Sequence, residues 1–201
     1  MAKLTQDQIM QIASTNYTEC ETIITTIAEA IKKNSDPNFS AETTMACFDI
    51  IMQACLFNAS VADGRLEQEE MAFIGCLTRY VDLMTVVNGK IREEDDSWVD
   101  ITWMDIPTLG SEVQDSLAVI SAGLIKDYAD AFVRVFATVD KILTEVDLLA
   151  VLNEKVMSIF VALAGVDGDD LKADAVKKET IRALAIYKAL VVDLWAEITK
   201  E

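Results

Sequence analysis

Isoleucine returns at every fourth position through Ile23, Ile27 and Ile31, and apolar residues lead into that run at Leu4, Ile9 and Ile12. That spacing puts one greasy stripe along an α-helix and has no counterpart in a strand, where faces alternate every second residue. Asn34-Ser35-Asp36-Pro37 stops the pattern, because a proline disfavours helical backbone in the residue before it. The pattern resumes after Ser40, a good N-cap, through Met45, Phe48, Ile51, Met52 and Leu56, and is broken by Asp63-Gly64. A third stretch carries Met71, Phe73, Ile74, Leu77 and Val81 and fades near Asn88-Gly89. Helical texture returns from Ser111 to the C-terminus, with breaks near Asp140 and at Asp167-Gly168. Between Asn88 and Gly110 it is absent, and this stretch reads as a long surface connection, partly extended at Val99, Ile101 and Trp103. Only two prolines and seven glycines interrupt 201 residues. The expectation is an all-α bundle of about seven helices.

Charge and residue types narrow the chemistry. Seventeen basic against 34 acidic side chains leave a net charge of −17. A field of that sign repels phosphate backbones and anionic bilayers and draws cations and basic proteins. No nucleic-acid or membrane partner is expected. The chain contains no histidine, so Ser-His and Cys-His nucleophiles and imidazole metal ligands are excluded. With no Gly-rich phosphate loop either, a non-enzymatic role is expected. Cys20, Cys47, Cys55 and Cys76 form no CxxC pair and read as free thiols used for packing. The polar start and apolar runs as short as Val156 to Val166 suggest a cytoplasmic protein without a membrane span.

One acidic word recurs. Shifting the chain by 77 residues lays Ser60–Glu70 (SVADGRLEQEE) on Ala137–Asp147 (ATVDKILTEVD). Asp63 then meets Asp140, Leu66 meets Leu143, Glu70 meets Asp147, and Met71-Ala72-Phe73-Ile74 meets Leu148-Leu149-Ala150-Val151. A weaker third copy begins at Asp167-Gly168, with Asp174 seven residues on. These matches read as an internal duplication of a helix–acidic turn–helix unit. The element Ala-Asp-Gly-x-Leu-x-x-Glu-Glu, echoed as Val-Asp-x-x-Leu-Thr-x-x-Asp, resembles the tellurite-resistance TerB-like domain over roughly residues 40–164. The resemblance implies a helical bundle with pseudo-twofold symmetry, an acidic metal-binding patch and a setting in stress or resistance. Lys141 in place of the glycine, and Asp147 in place of the glutamate, depart from its pattern. The corresponding division is an N-terminal helix and linker (1–39), the TerB-like domain (40–164) and a C-terminal helical extension packed on it (165–201).

Two readings of the acidic turn stand at this point. No single turn is a calcium loop of its own. With Gly64 at the sixth loop position, Asp63 and Glu70 fit the fifth and twelfth, but Ala59 and Val61 occupy the first and third. The third copy has Leu163 and Gly165 there. Packing about a twofold axis could instead bring Asp63, Glu70, Asp140 and Asp147 together, and such a cluster would hold a hard divalent cation, Ca²⁺ or Mg²⁺. Alternatively the same residues are turns, staples and caps, with Thr144 and Asp147 as a capping box. The expected functions are accordingly a cation-binding or scaffolding module, or an acidic, immunity-type protein that covers a basic toxin or nuclease. For the second, Glu93-Glu94-Asp95-Asp96 with Trp98 and Trp103 are the candidate contacts; the tryptophans could equally pack on the bundle. The stripe Ile181, Leu184, Tyr187, Leu190, Val191, Leu194 and Trp195 reads as core or dimer seam.

Overall fold

A computed structural model describes residues 5–61, 66–143, 147–163 and 181–200, and the description below is confined to them. These residues form an all-α bundle without a strand. Helix α1 (Gln6–Asn34) starts with a capping box, in which Thr5 Oγ1 accepts the Gln8 N–H and Gln8 Oε1 accepts the Thr5 N–H. Its buried positions Ile9, Ala13, Tyr17, Cys20, Ile24, Ile27 and Ile31 follow the three-and-four spacing of a single stripe. Helix α2 (Ala41–Val61) is different: it is buried on nearly every side. By length and composition it could cross a bilayer, but here 83% of the relevant window is covered by the rest of the bundle. Its position in the middle of the bundle explains that coverage.

Helix α5 (Ser111–Asp140) is the main partner of α2, and α6 (Leu148–Leu163) packs chiefly on α1. Phe48 stacks on Phe132 with ring centres 5.8 Å apart, while Asn58 Nδ2 donates to Ser121 Oγ at 2.8 Å. Residue numbers thus rise along α2 as they fall along α5, so the pair is antiparallel. The chain closes with α7, which is α-helical over 181–187, widens to a π turn at Lys188–Val192 and is α-helical again over Asp193–Ile198. Tyr187 donates to Asn153 Oδ1 and Trp195 Nε1 to Asp140 Oδ2, which fixes α7 to α6 and to the end of α5. The stripe on α7 is core at Ala183, Tyr187 and Val191, and Ile181 is left exposed.

Between residues 68 and 110 the structure departs from the periodicity. Helix α3 (Gln68–Cys76) ends five residues before Val81, and a new helix α4 (Leu83–Glu94) runs straight through Asn88-Gly89. The break is made by tertiary contacts. Asp49 on α2 is fully buried; its Oδ2 accepts the backbone N–H groups of Arg79 (3.0 Å), Tyr80 (2.6 Å) and Val81 (3.0 Å), and its Oδ1 accepts the Tyr17 hydroxyl. One turn on, Gln53 accepts the Leu83 N–H and donates to the Val81 carbonyl. Asp82 then caps α4 through the Met84 N–H. Of the four thiols Cys20, Cys47 and Cys55 are buried, whereas Cys76 is exposed.

Removing the carboxylate in Asp49→Ala should orphan four donors, the three backbone N–H groups and the Tyr17 hydroxyl, and cost about 2–4 kcal/mol; Tyr17→Phe, which removes one donor, should cost about 1 kcal/mol. Denaturant midpoints at unchanged slope are the check. Alkaline pH tests the same core. Burial holds the hydroxyls of Tyr17 and Tyr187 well above their usual range, the Asp49 charge adding to the effect at Tyr17, and pushes the Cys20 thiol from 9.0 to about 12. Above their ordinary values these groups lose protons in the unfolded chain while keeping them in the folded one. Their contribution is therefore complete below about pH 9 and declines as pH rises further. Melting temperature should fall from about pH 9 upward, and Cys20→Ala should soften the onset.

Candidate functional site

Three of the four carboxylates singled out in the sequence, Glu70, Asp140 and Asp147, are placed by the antiparallel α2/α5 pair. Antiparallel helices have their C-terminal ends at opposite ends of the pair, so the corner after α2 and the corner after α5 are far apart. Ser121, which meets Asn58, is about 28 Å of helix axis from Asp140. Glu70 belongs to the first corner, at the start of α3, and does not meet Asp140 or Asp147, which belong to the second. Asp63 lies outside the described residues, as do Thr144 and the third copy at Asp167, Gly168 and Asp174. Among the described residues no group of three or more acids and thiols is set to hold a metal ion.

Each placed carboxylate has local work. Glu70 is buried, and its Oε2 accepts the Glu67 N–H at 3.0 Å, closing a capping box at the start of α3. Asp147 immediately precedes α6 and accepts the Ala150 N–H at 2.9 Å, so the cap is Asp147 itself. The two are therefore not equivalent: Glu70 sits inside its helix and Asp147 outside. The 77-residue shift matches words, while the two corners differ in register. Asp140, the last residue of α5, accepts the Trp195 indole N–H at 2.9 Å. Partial burial raises its carboxyl above the usual range, the indole opposes this, and the nearby charge of Asp147 adds to the rise. These two acids are the pair the fold brings within electrostatic reach.

The connection from α4 to α5 forms the other acidic feature. Together with the last two residues of α4 it carries Glu93, Glu94, Asp95, Asp96, Asp100 and Asp105, and from residue 93 to 105 no basic side chain. Its backbone is held at several points. Asp95 Oδ1 accepts the Ser97 N–H and hydroxyl, and Asp105 Oδ2 accepts those of Thr102. Both carboxyls are held below their usual range, by the Ser97 hydroxyl first in one case and the Thr102 N–H first in the other. Asn88 Oδ1 accepts from Trp98 Nε1 (3.0 Å) and the Ile101 N–H (3.2 Å), while its Nδ2 donates to the Ile101 carbonyl (2.7 Å). Trp103 is buried edge-on against Phe57 and donates to Asp82 Oδ1 at 2.8 Å. A short 3₁₀ turn (Ile106–Thr108) completes the segment; Gln114 Nε2 caps it by donating to the Ile106 and Leu109 carbonyls.

Both tryptophans are thus engaged with the bundle. The apolar side chains this edge presents to solvent are Val99, 80% exposed, and Met104, 47% exposed. Asp100 pairs with Arg92 at 3.2 Å. Glu93, Glu94 and Asp96 are exposed, and no hydrogen bond or ion pair ties them among the described residues. Asp49, Gln53 and Asn88, which organise this region, were not singled out from the sequence. The available signal was a polar side chain set inside an apolar helical run, as at Phe48-Asp49-Ile50 and Met52-Gln53-Ala54. Comparison with models of known protein families, with curated proteins and with solved structures finds no match.

In metal-free buffer at neutral pH, Asp140→Asn keeps an acceptor for Trp195 and removes a partly buried charge facing Asp147. It should leave melting temperature unchanged or raise it. Asp140→Ala orphans the indole and should lower stability by about 1 kcal/mol. If the asparagine variant proves as damaging as the alanine one, the carboxylate charge itself is needed.

Proposed function

We propose that this chain is a non-catalytic helical module that docks a basic protein partner on the acidic edge between α4 and α5. The observation that carries this reading is the edge itself. A backbone tied down by Asn88, Asp82 and Gln114 holds Val99 and Met104 in solvent among six carboxylates. An apolar centre with a charged rim is the usual anatomy of a protein interface. A net charge of −17 selects partners rich in lysine and arginine and speeds their approach. A place in a stress or resistance pathway, as the TerB resemblance implies, belongs to the same proposal.

The test uses the triple variant Glu93→Gln, Glu94→Gln, Asp96→Asn, with and without Val99→Ser. None of the four side chains supports the fold, so melting should hold within the ±0.5 kcal/mol typical of surface changes. A partner recovered from the native host should be basic, should bind the triple variant at least tenfold more weakly, and should lose affinity as salt rises. A partner held equally by wild type and variant, or one that is itself acidic, ends this reading.

A second reading, a divalent cation at clustered acids, is favoured by the proximity of Asp147 to Asp140. It requires that millimolar Ca²⁺ or Mg²⁺ raise the melting temperature of the wild type and not of Asp140→Asn.

A further inference from the structure

On another part of the bundle, the 36–40 connection, the first turns of α2 and the second half of α5 enclose an open cavity of about 320 Å³. It exceeds twice the size of an engineered apolar cavity that takes up benzene, about 150 Å³, and falls at the small end of natural ligand sites. Thr44, Cys47 and Phe132 are its buried wall, Phe39 and Val135 are half-buried, and Asp36 stands exposed at the rim. The lining includes two ionisable side chains. Burial raises the Cys47 thiol, which keeps it neutral, so Asp36 supplies the charge. One Asp36 oxygen accepts the Asn38 N–H at 2.9 Å, which orients the carboxylate. No lysine or arginine lines the cavity, and the field of the whole chain is negative. An anionic ligand would meet repulsion from both; a cation would meet attraction from both.

We propose that this cavity binds a small aromatic molecule carrying one positive charge, its ring against the half-buried Phe39 and Val135 and its ammonium at Asp36. The site is independent of the acidic edge, and neither reading needs the other.

Benzylammonium is the probe, with phenylacetate as its anionic counterpart and methylammonium as a control for loose counter-ion binding. Titration of the full chain by calorimetry should give saturable benzylammonium binding with a dissociation constant on the order of 1 mM or tighter, as expected for so small a ligand. Phenylacetate should bind at least tenfold more weakly, and methylammonium should not saturate. Ala131→Phe and Thr43→Phe place a ring into the cavity from exposed positions on α5 and α2, and each should abolish binding. Should one of them fail to fold, the other decides. Asp36→Asn should reduce the preference for benzylammonium over benzyl alcohol by at least threefold. Absence of saturation up to about 10 mM, or binding that both cavity-filling variants leave intact, overturns the site. Equal binding of phenylacetate, or indifference to Asp36→Asn, overturns the ligand class.

Discussion

One buried carboxylate sets the course of the chain between α3 and α4. A helix surrounded by the bundle has no solvent to satisfy polar side chains, and an unpaired anion there would cost several kcal/mol. On α2, Asp49 meets this constraint by taking three successive backbone N–H groups and the Tyr17 hydroxyl. Charge-assisted bonds to rigid donors are the strong class. The arrangement satisfies the loop as well, since Arg79, Tyr80 and Val81 belong to no helix and need acceptors. Gln53 repeats the device one turn later. Together they fix where α3 stops, where α4 starts, and therefore where the acidic edge emerges from the bundle.

This explains which parts of the fold could be read directly. Helices α1, α2 and α5 carry long apolar helical patterns, and α1 and α2 are followed by strong stop signals at Asp36-Pro37 and Asp63-Gly64, so local pattern is enough to find them. At Leu77–Asp82 periodicity continues because Leu77 and Val81 are apolar and four apart, yet the backbone leaves the helix to meet Asp49. The partner lies some thirty residues away, and no local pattern reveals it. Asn88-Gly89 misled for the opposite reason. The pair is a turn signal in isolation, but Asn88 is buried in α4 and its amide is used to hold Trp98 and Ile101. Tertiary demand overrode propensity in both places.

The acidic corners show a different limit. Matching words 77 residues apart mark two places where one helix gives way to the next, after α2 and after α5. Whether two corners meet depends on the direction of the helices that lead into them, and direction is not written in either word. Phe48 against Phe132 and Asn58 against Ser121 fix that direction as antiparallel. An antiparallel pair carries like corners to opposite ends, which also lowers the repulsion between them in a chain of net charge −17. Glu70 and Asp147 then take up capping work of different kinds. The glutamate reaches back from within its helix and the aspartate reaches forward from outside.

The acidic edge differs from the corners in how its charge relates to its scaffold. At Glu70, Asp140 and Asp147 the carboxylates are consumed by N–H donors of the fold. Along the edge, Asp95 and Asp105 are consumed in the same way, but the neighbouring side chains of Glu93, Glu94 and Asp96 remain directed to solvent. The indoles of Trp98 and Trp103 add rigidity by facing inward, so the exposure of Val99 comes from a fixed backbone. A surface already held in one conformation loses little entropy when a partner arrives. Its carboxylates also repel one another in the free protein, and a basic partner relieves that repulsion as it binds. Both terms favour association at the edge and neither operates at the corners.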